Sequence, residues 1–149
     1  MPHFTLQVTS NGPLLNAFVG VSHARHTALN AAKQPTPQAV QIRALIDTGA
    51  SCTCMDPSVV TALQLVATGP VTMNTPSTGA TPHTAWEYDV SIIIPGASAN
   101  HAPLLIPNIA VASTELLATL GFHALIGRDI LSRCILTYNG ETGLFMLAY

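Results

Sequence analysis

The chain has 149 residues, with five Lys and Arg against seven Asp and Glu and a formal net charge of −2. No basic cluster is present, which argues against nucleic-acid binding, because that needs many phosphate contacts. Apolar residues make up 48% of the chain and charged residues only 8%, so a monomer would expose apolar patches of the kind that mark an oligomer interface.

The length fits one domain, residues 1–149, able to fold around its own core without disulfides. Phe4, Leu6 and Val8 alternate with polar residues, as do Leu15, Ala17 and Val19. Asn11-Gly12 between them is a hairpin signal. Residues 22–40 break the pattern with His, Asn, Lys and two prolines, and read as a long surface loop with a helical turn around 28–33. Residues 41–46 form a compact apolar strand that runs directly into Asp47-Thr48-Gly49-Ala50, and extended chain resumes at 52–55. Asp56-Pro57 is an N-cap followed by proline at the first helical position, opening a short helix to about Leu63. Residues 71–73 and 86–94 read as strands flanking a small polar tip, Asn74 to Ala80, the shape of a hairpin with a mobile end. A strand at 104–112 and a short helix at 113–120 follow. Then come a buried strand at 124–126 ending at Gly127, a short helix at 128–133, and a hairpin of strands 134–138 and 144–148. Many short strands punctuated by turns point to an all-β barrel or sandwich with one or two short helices.

The N-terminus has neither the basic start nor the apolar stretch of a signal peptide. No apolar run approaches the ~20 residues a membrane helix needs. The expected location is therefore cytoplasmic. Cys52, Cys54 and Cys134 are odd in number and match no common zinc spacing. They read as reduced thiols, and Cys52 and Cys54 as small buried residues on one strand face. The six histidines are scattered without a helical metal spacing, so no metal and no cofactor is expected. Trp86 reads as a packing residue behind the hairpin. Ser51 lacks the Gly-x-Ser-x-Gly elbow of a serine nucleophile.

Chemistry concentrates at Asp47. An acidic residue directly after a buried strand is expensive unless paired or hydrogen-bonded, and Thr48 and Gly49 supply a local hydroxyl and a permissive backbone. Taken alone, the tripeptide reads more readily as an ordinary Asx turn in which the carboxylate caps the following amides.

With its context, the sequence resembles the retropepsin family of aspartic peptidases. The motifs are Leu45-Ile46-Asp47-Thr48-Gly49-Ala50 and, about eighty residues on, Leu125-Ile126-Gly127-Arg128-Asp129-Ile130-Leu131, with a flap-like hairpin between them. The resemblance covers residues 41–138. It implies a closed retropepsin-like (acid protease) barrel and a homodimer. Each copy carries one Asp-Thr-Gly, so the second catalytic aspartate must come from a second copy on a two-fold axis. The two carboxylates would share a proton, because both cannot ionise so close together. One would polarise the scissile carbonyl of a peptide or protein substrate and the other would activate water, with mildly acidic pH favoured.

By the same resemblance Asp47, Thr48 and Gly49 form the catalytic motif. Thr48 bonds across the axis, and the Gly49 carbonyl meets the substrate. Ala50, Asn74, Thr75, Pro76, Ser77, Thr78 and Gly79 belong to the substrate-binding and flap region. Ile126, Gly127, Arg128 and Asp129 support the site, with Gly127 passing close behind the catalytic loop and Arg128 bracing the barrel base or the interface. Ser51 stands where many viral members carry an acidic partner for that arginine, so Asp129 or a carboxylate of the other subunit is the expected substitute. The chain starts at a methionine without polyprotein flanks, which points to a cellular bacterial member. Two other readings stand beside the enzyme: a catalytically silent dimerisation or peptide-binding module on this fold, and an unrelated β-barrel with a chance Asp-Thr-Gly.

Overall fold

The computed structural model describes residues 1–74 and 81–149. Its elements in chain order are β1 (His3–Gln7), β2 (Leu14–Val21), α1 (His23–Ala31), β3 (Val40–Ile46), β4 (Cys54–Met55), α2 (Pro57–Ala62), β5 (Gly69–Met73), β6 (His83–Ile94), β7 (Leu104–Ser113), α3 (Leu117–Leu120), β8 (Ala124–Ile126), α4 (Arg128–Leu131), β9 (Ile135–Asn139) and β10 (Leu144–Ala148). Of the four helical segments, only α1 and α2 exceed a single turn.

Six strands close on themselves in the order β2-β3-β8-β4-β7-β6, and β6 returns to β2. Closure works because β6 is 12 residues long. Its first half pairs with β5, from Gly69↔Glu87 to Met73↔His83, and its second half pairs with β2, from Phe18↔Ile93 to Val21↔Val90. Along its other edge β6 pairs with β7, with a register shift between Val90 and Ile92, inside the half that pairs with β2, the kind of irregularity that bends a strand. The barrel interior follows the period of two. Leu15, Ala17, Val19 and Val21 of β2, and Ile42, Ala44 and Ile46 of β3, are all buried. Alanines at 17, 44 and 124 are fully buried beside Ile92, Ile106 and Ile126, the small-large alternation that fits side chains into a narrow barrel. Each large aliphatic side chain buried there contributes about 1.5–3 kcal/mol.

The remaining strands form a three-stranded antiparallel sheet, β1-β10-β9. Phe4, Phe145 and Leu147 from this sheet join the barrel residues in one hydrophobic cluster.

Three sequence expectations differ from this picture. The Asn11-Gly12 signal does form a tight turn, with Thr9 and Gly12 exchanging both backbone hydrogen bonds at 2.9 Å. The flanking strands then diverge: β1 pairs with β10, and β2 with β3 and β6. Residues 22–40 are not mainly loop, since α1 begins at His23, where the Ser22 hydroxyl accepts from the Arg25 amide. That helix buries no residue, so it leaves no apolar stripe to read. Finally, Ser113 ends β7, and only Leu117–Leu120 is helical in the stretch expected as a longer helix.

Candidate active site

β3 and β8 run parallel and end together at the pair Ile46↔Ile126. The ladder continues one step, with the Asp47 amide donating to the Ile126 carbonyl at 3.0 Å. Asp47 is thus delivered by two paired, buried strands and sits half-buried where they stop. The chain then turns sharply. The Gly49 amide donates to Asp47 Oδ1 at 2.8 Å, and the Ala50 amide to the Asp47 carbonyl at 3.3 Å. This is the Asx turn anticipated for the tripeptide, used here to orient a carboxylate. Among the described residues nothing donates to the other carboxylate oxygen.

Residues 127–129 brace this loop from behind. Gly127 lies so close to it that an added Cβ would come within 2.5 Å of the backbone carbon and oxygen of Cys52, so only glycine fits. The Arg128 amide donates to the Ala50 carbonyl at 2.9 Å, while its guanidinium donates to the carbonyls of Thr48 at 2.8 Å and Gly49 at 3.1 Å. Arg128 therefore acts on the Asp47 loop of its own chain. Asp129 does not pair with Arg128, which corrects that expectation. Its carboxylate accepts from the Thr53 amide and hydroxyl, both at 2.8 Å, and from the Ile130 amide at 2.9 Å. Thr53 is fully buried, and its hydroxyl also accepts from the Gly127 amide, so the two motifs are stitched by side chains on both sides. Three donors thus converge on Asp129, while the Arg128 guanidinium is directed to the Thr48 and Gly49 carbonyls instead.

The loop opens onto a cavity of about 860 Å³ whose lining includes Asp47, Gly49, Ala50, Ser51, Thr114 and His83. Its walls also take in Cys52, Cys54, Val71, Met73, Leu116 and Leu125. Volume and lining suit an extended chain carrying apolar side chains. Burial, reinforced by Cys52, Asp129 and Asp47 nearby, pushes the Cys54 thiol up to about 12, so it serves the wall as a neutral group.

Asp47, Thr48, Gly49, Ala50, Ile126, Gly127, Arg128 and Asp129 lie together around this loop, and Asn74 lines the cavity. Thr75, Pro76, Ser77, Thr78 and Gly79 lie outside the described residues. Thr48 is exposed. The Gly49 carbonyl is engaged by Arg128 with one lone pair left for another donor. Trp86 is not a packing residue. It is 58% exposed and faces Pro70 across the β5–β6 pair. The reading of the cysteines as buried holds for Cys54, whereas Cys52 is half-buried and lines the cavity.

Asp56 was legible only as a helix cap, and its reach was missed. It is 4% exposed. Its Oδ1 accepts from the Ser58 amide at 2.9 Å and hydroxyl at 2.6 Å, and its Oδ2 from the amides of Leu116 at 2.9 Å and Leu117 at 2.7 Å. Burial opposes its ionisation, but the hydrogen bonds from the Ser58 hydroxyl and the three amides outweigh it and hold the carboxyl well below the usual carboxylate range. No sequence signal marks a partner sixty residues away.

Comparison with known proteins agrees with this geometry. The fold is similar to the crystal structure of a retropepsin-like aspartic protease from Rickettsia conorii, with a TM-score of 0.55 and 20% identity over 99% of this chain and 90% of that one. A weaker likeness, with a TM-score of 0.37 and 12% identity, relates 86% of the chain to 82% of the retroviral protease-like domain of Ddi1 from Leishmania major. Among curated protein sequences none matches. The architecture is thus mostly β and retropepsin-like. The aspartyl protease family model matches residues 38–130, a stretch that contains the Asp47 loop, the cavity walls and the bracing residues through Asp129, and with that match the chain belongs to the aspartyl protease family.

Proposed function

We propose that the protein is an aspartic endopeptidase working as a homodimer, with Asp47 of each copy forming a shared dyad. The observation that carries this is the placement of Asp47. A carboxylate at the end of two paired strands is oriented by one local amide, braced from behind, and opens onto a cavity sized for a peptide. The remaining described carboxylates are committed elsewhere or belong to no Asp-Thr-Gly, so a single chain holds half a dyad. A second copy related by a two-fold axis supplies the other half. The dyad holds one proton, because two adjacent like charges cannot both ionise. The protonated member polarises the scissile carbonyl, and the ionised member takes a proton from the attacking water. Thr48, exposed beside Asp47, is positioned to tie the two loops across the axis. The Gly49 carbonyl offers its free lone pair to a substrate amide, and Asn74 meets the bound peptide from the cavity wall. No metal or cofactor takes part.

Residues 1–149 act as one unit, consistent with the single cluster shared by the barrel and the terminal sheet. No helix among the described residues is long and apolar enough to cross a membrane. The three cysteines are all free thiols, which suits a cytoplasmic setting.

The test is cleavage of a mixed peptide library between acid and neutral pH, with wild type beside Asp47→Asn and with a statine-type inhibitor. Acid-favoured, inhibitor-sensitive cleavage that the substitution abolishes supports the proposal. A folded wild-type dimer that binds peptides without cutting them would replace it with the peptide-binding module.

A further inference from the structure

The cavity beside Asp47 is built against a second, smaller hydrophobic cluster, separate from the barrel core. That cluster centres on Cys54, Ala85, Ala112, Leu116 and Phe122. Six of its members or neighbours, Cys52, Cys54, Val71, Met73, Leu116 and Leu125, are also cavity wall. Cys52 sits in the loop packed against Gly127, and Cys54, Val71, Met73 and Leu125 sit on strands whose backbone ladders fix them. Leu116 does not. It lies between the end of β7 and the start of α3, and its own side chain cannot cap that turn. What holds it is the Asp56 carboxylate, through the amides of Leu116 at 2.9 Å and Leu117 at 2.7 Å. Asp56 is held in turn by its own amide on the His123 carbonyl at 2.8 Å and by Ser58. One step earlier, the Thr114 amide bonds the Met55 carbonyl at 2.9 Å. The segment 114–117 is therefore pinned to residues 55–56 at three amides.

We infer that Leu116 sets the size of substrate side chain the cleft accepts, and that Asp56, which is not part of the cavity lining, is the residue that positions it. The inference rests on the peptidase reading and adds to it a second aspartate with a separate task. A carboxylate suits that task. It accepts from two converging amides with one oxygen while the other oxygen stays anchored, whereas an asparagine would turn an N–H₂ toward one pair of donors. Its depressed pKa keeps these bonds at the mildly acidic pH where a shared-proton dyad works.

The experiment measures kcat and KM separately on peptides that differ only in the size of the side chains flanking the scissile bond, for wild type, Leu116→Ala and Asp56→Asn. Leu116→Ala should shift preference at one subsite toward larger side chains, changing the ratio of kcat/KM for large over small by about tenfold or more. Asp56→Asn should blur the same preference toward a ratio near one, with the change in KM exceeding that in kcat. If Asp56→Asn does not fold, Leu116→Ala decides alone. A folded Leu116→Ala enzyme with the wild-type preference profile would overturn the inference while leaving the peptidase reading intact. Wild type that cleaves no peptide in the set would overturn both.

Discussion

Two aspartates of this chain stand nine residues apart with the same local chemistry and opposite fates. Each follows a buried apolar strand, and each accepts a hydrogen bond from the amide two residues on, Asp47 from Gly49 at 2.8 Å and Asp56 from Ser58 at 2.9 Å. They differ in the second oxygen. That of Asp56 is taken by two amides from a distant segment in a site only 4% exposed. That of Asp47 meets no donor among the described residues and belongs to a cavity wall. A carboxylate whose bonding capacity is filled contributes stability, and one held by a single bond at a cleft is available for chemistry. Substitutions should therefore separate activity from stability along this line.

The largest effect falls on Asp47. Asp47→Asn should lower peptide cleavage by about a thousandfold or more, within or above the range seen for losing a positioned acid-base group. Its unfolding free energy should change by less than about 1 kcal/mol, because the side chain is half-buried with one bond, as urea titration beside initial rates will show. Asp56→Ala should behave in the opposite sense. It strands the buried amide of Leu116 and the part-buried amides of Ser58 and Leu117, and should cost about 2–4 kcal/mol in the same titration.

The two sites also part company with pH. The folded Asp56 carboxyl has its pKa depressed, so its stabilisation is fully present above the unfolded carboxylate value near 3.9 and is lost as pH falls through the lower folded value. The difference in urea midpoint between wild type and Asp56→Asn should be constant from about pH 5 to 7 and shrink on going to pH 3 and below.

Gly127→Ala tests the bracing of the Asp47 loop. Its methyl would meet the Cys52 backbone at 2.5 Å, so a loss of about 1–3 kcal/mol is expected, together with reduced activity from displacement of residues 52–53. The smallest effects lie at two helix ends outside the hydrogen-bonding of either aspartate. Lys33 and Gln64 take positive φ values of 54° and 50° just beyond α1 and α2. Lys33→Gly and Gln64→Gly should each stabilise by no more than about 1 kcal/mol, read as a rise in Tm, with activity unchanged.

The comparison also explains what was legible beforehand. Asp47 could be read from its own segment, a strand that must end in an oriented carboxylate, whereas Gly127 and Arg128 could be read only through the resemblance of their motif, since the groups they brace lie some eighty residues away. The Asp56-Pro57 start of α2, like Asp47, was legible from its own segment. The partners of Asp56 and Asp129 were not, because hydrogen bonds between residues 53 and 129, or 56 and 116, leave no periodicity in either segment. The Asn11-Gly12 turn was right as local chemistry and misleading as topology, since barrel closure through β6 and the pairing of β1 with β10 override the hairpin. Helix α1 was read only as a turn around 28–33, because a helix that buries no residue leaves no apolar stripe to mark its length.

The claim that one active site draws Asp47 from two copies is tested most directly by subunit mixing. A fixed amount of wild type is equilibrated with increasing Asp47→Asn protein, and cleavage is followed. If the dyad is shared, random exchange into mixed dimers should cut activity to about half at equal amounts and to about a tenth at ninefold excess. Activity that stays constant while mixed dimers demonstrably form would contradict the account, because each chain would then be cutting with its own aspartate alone.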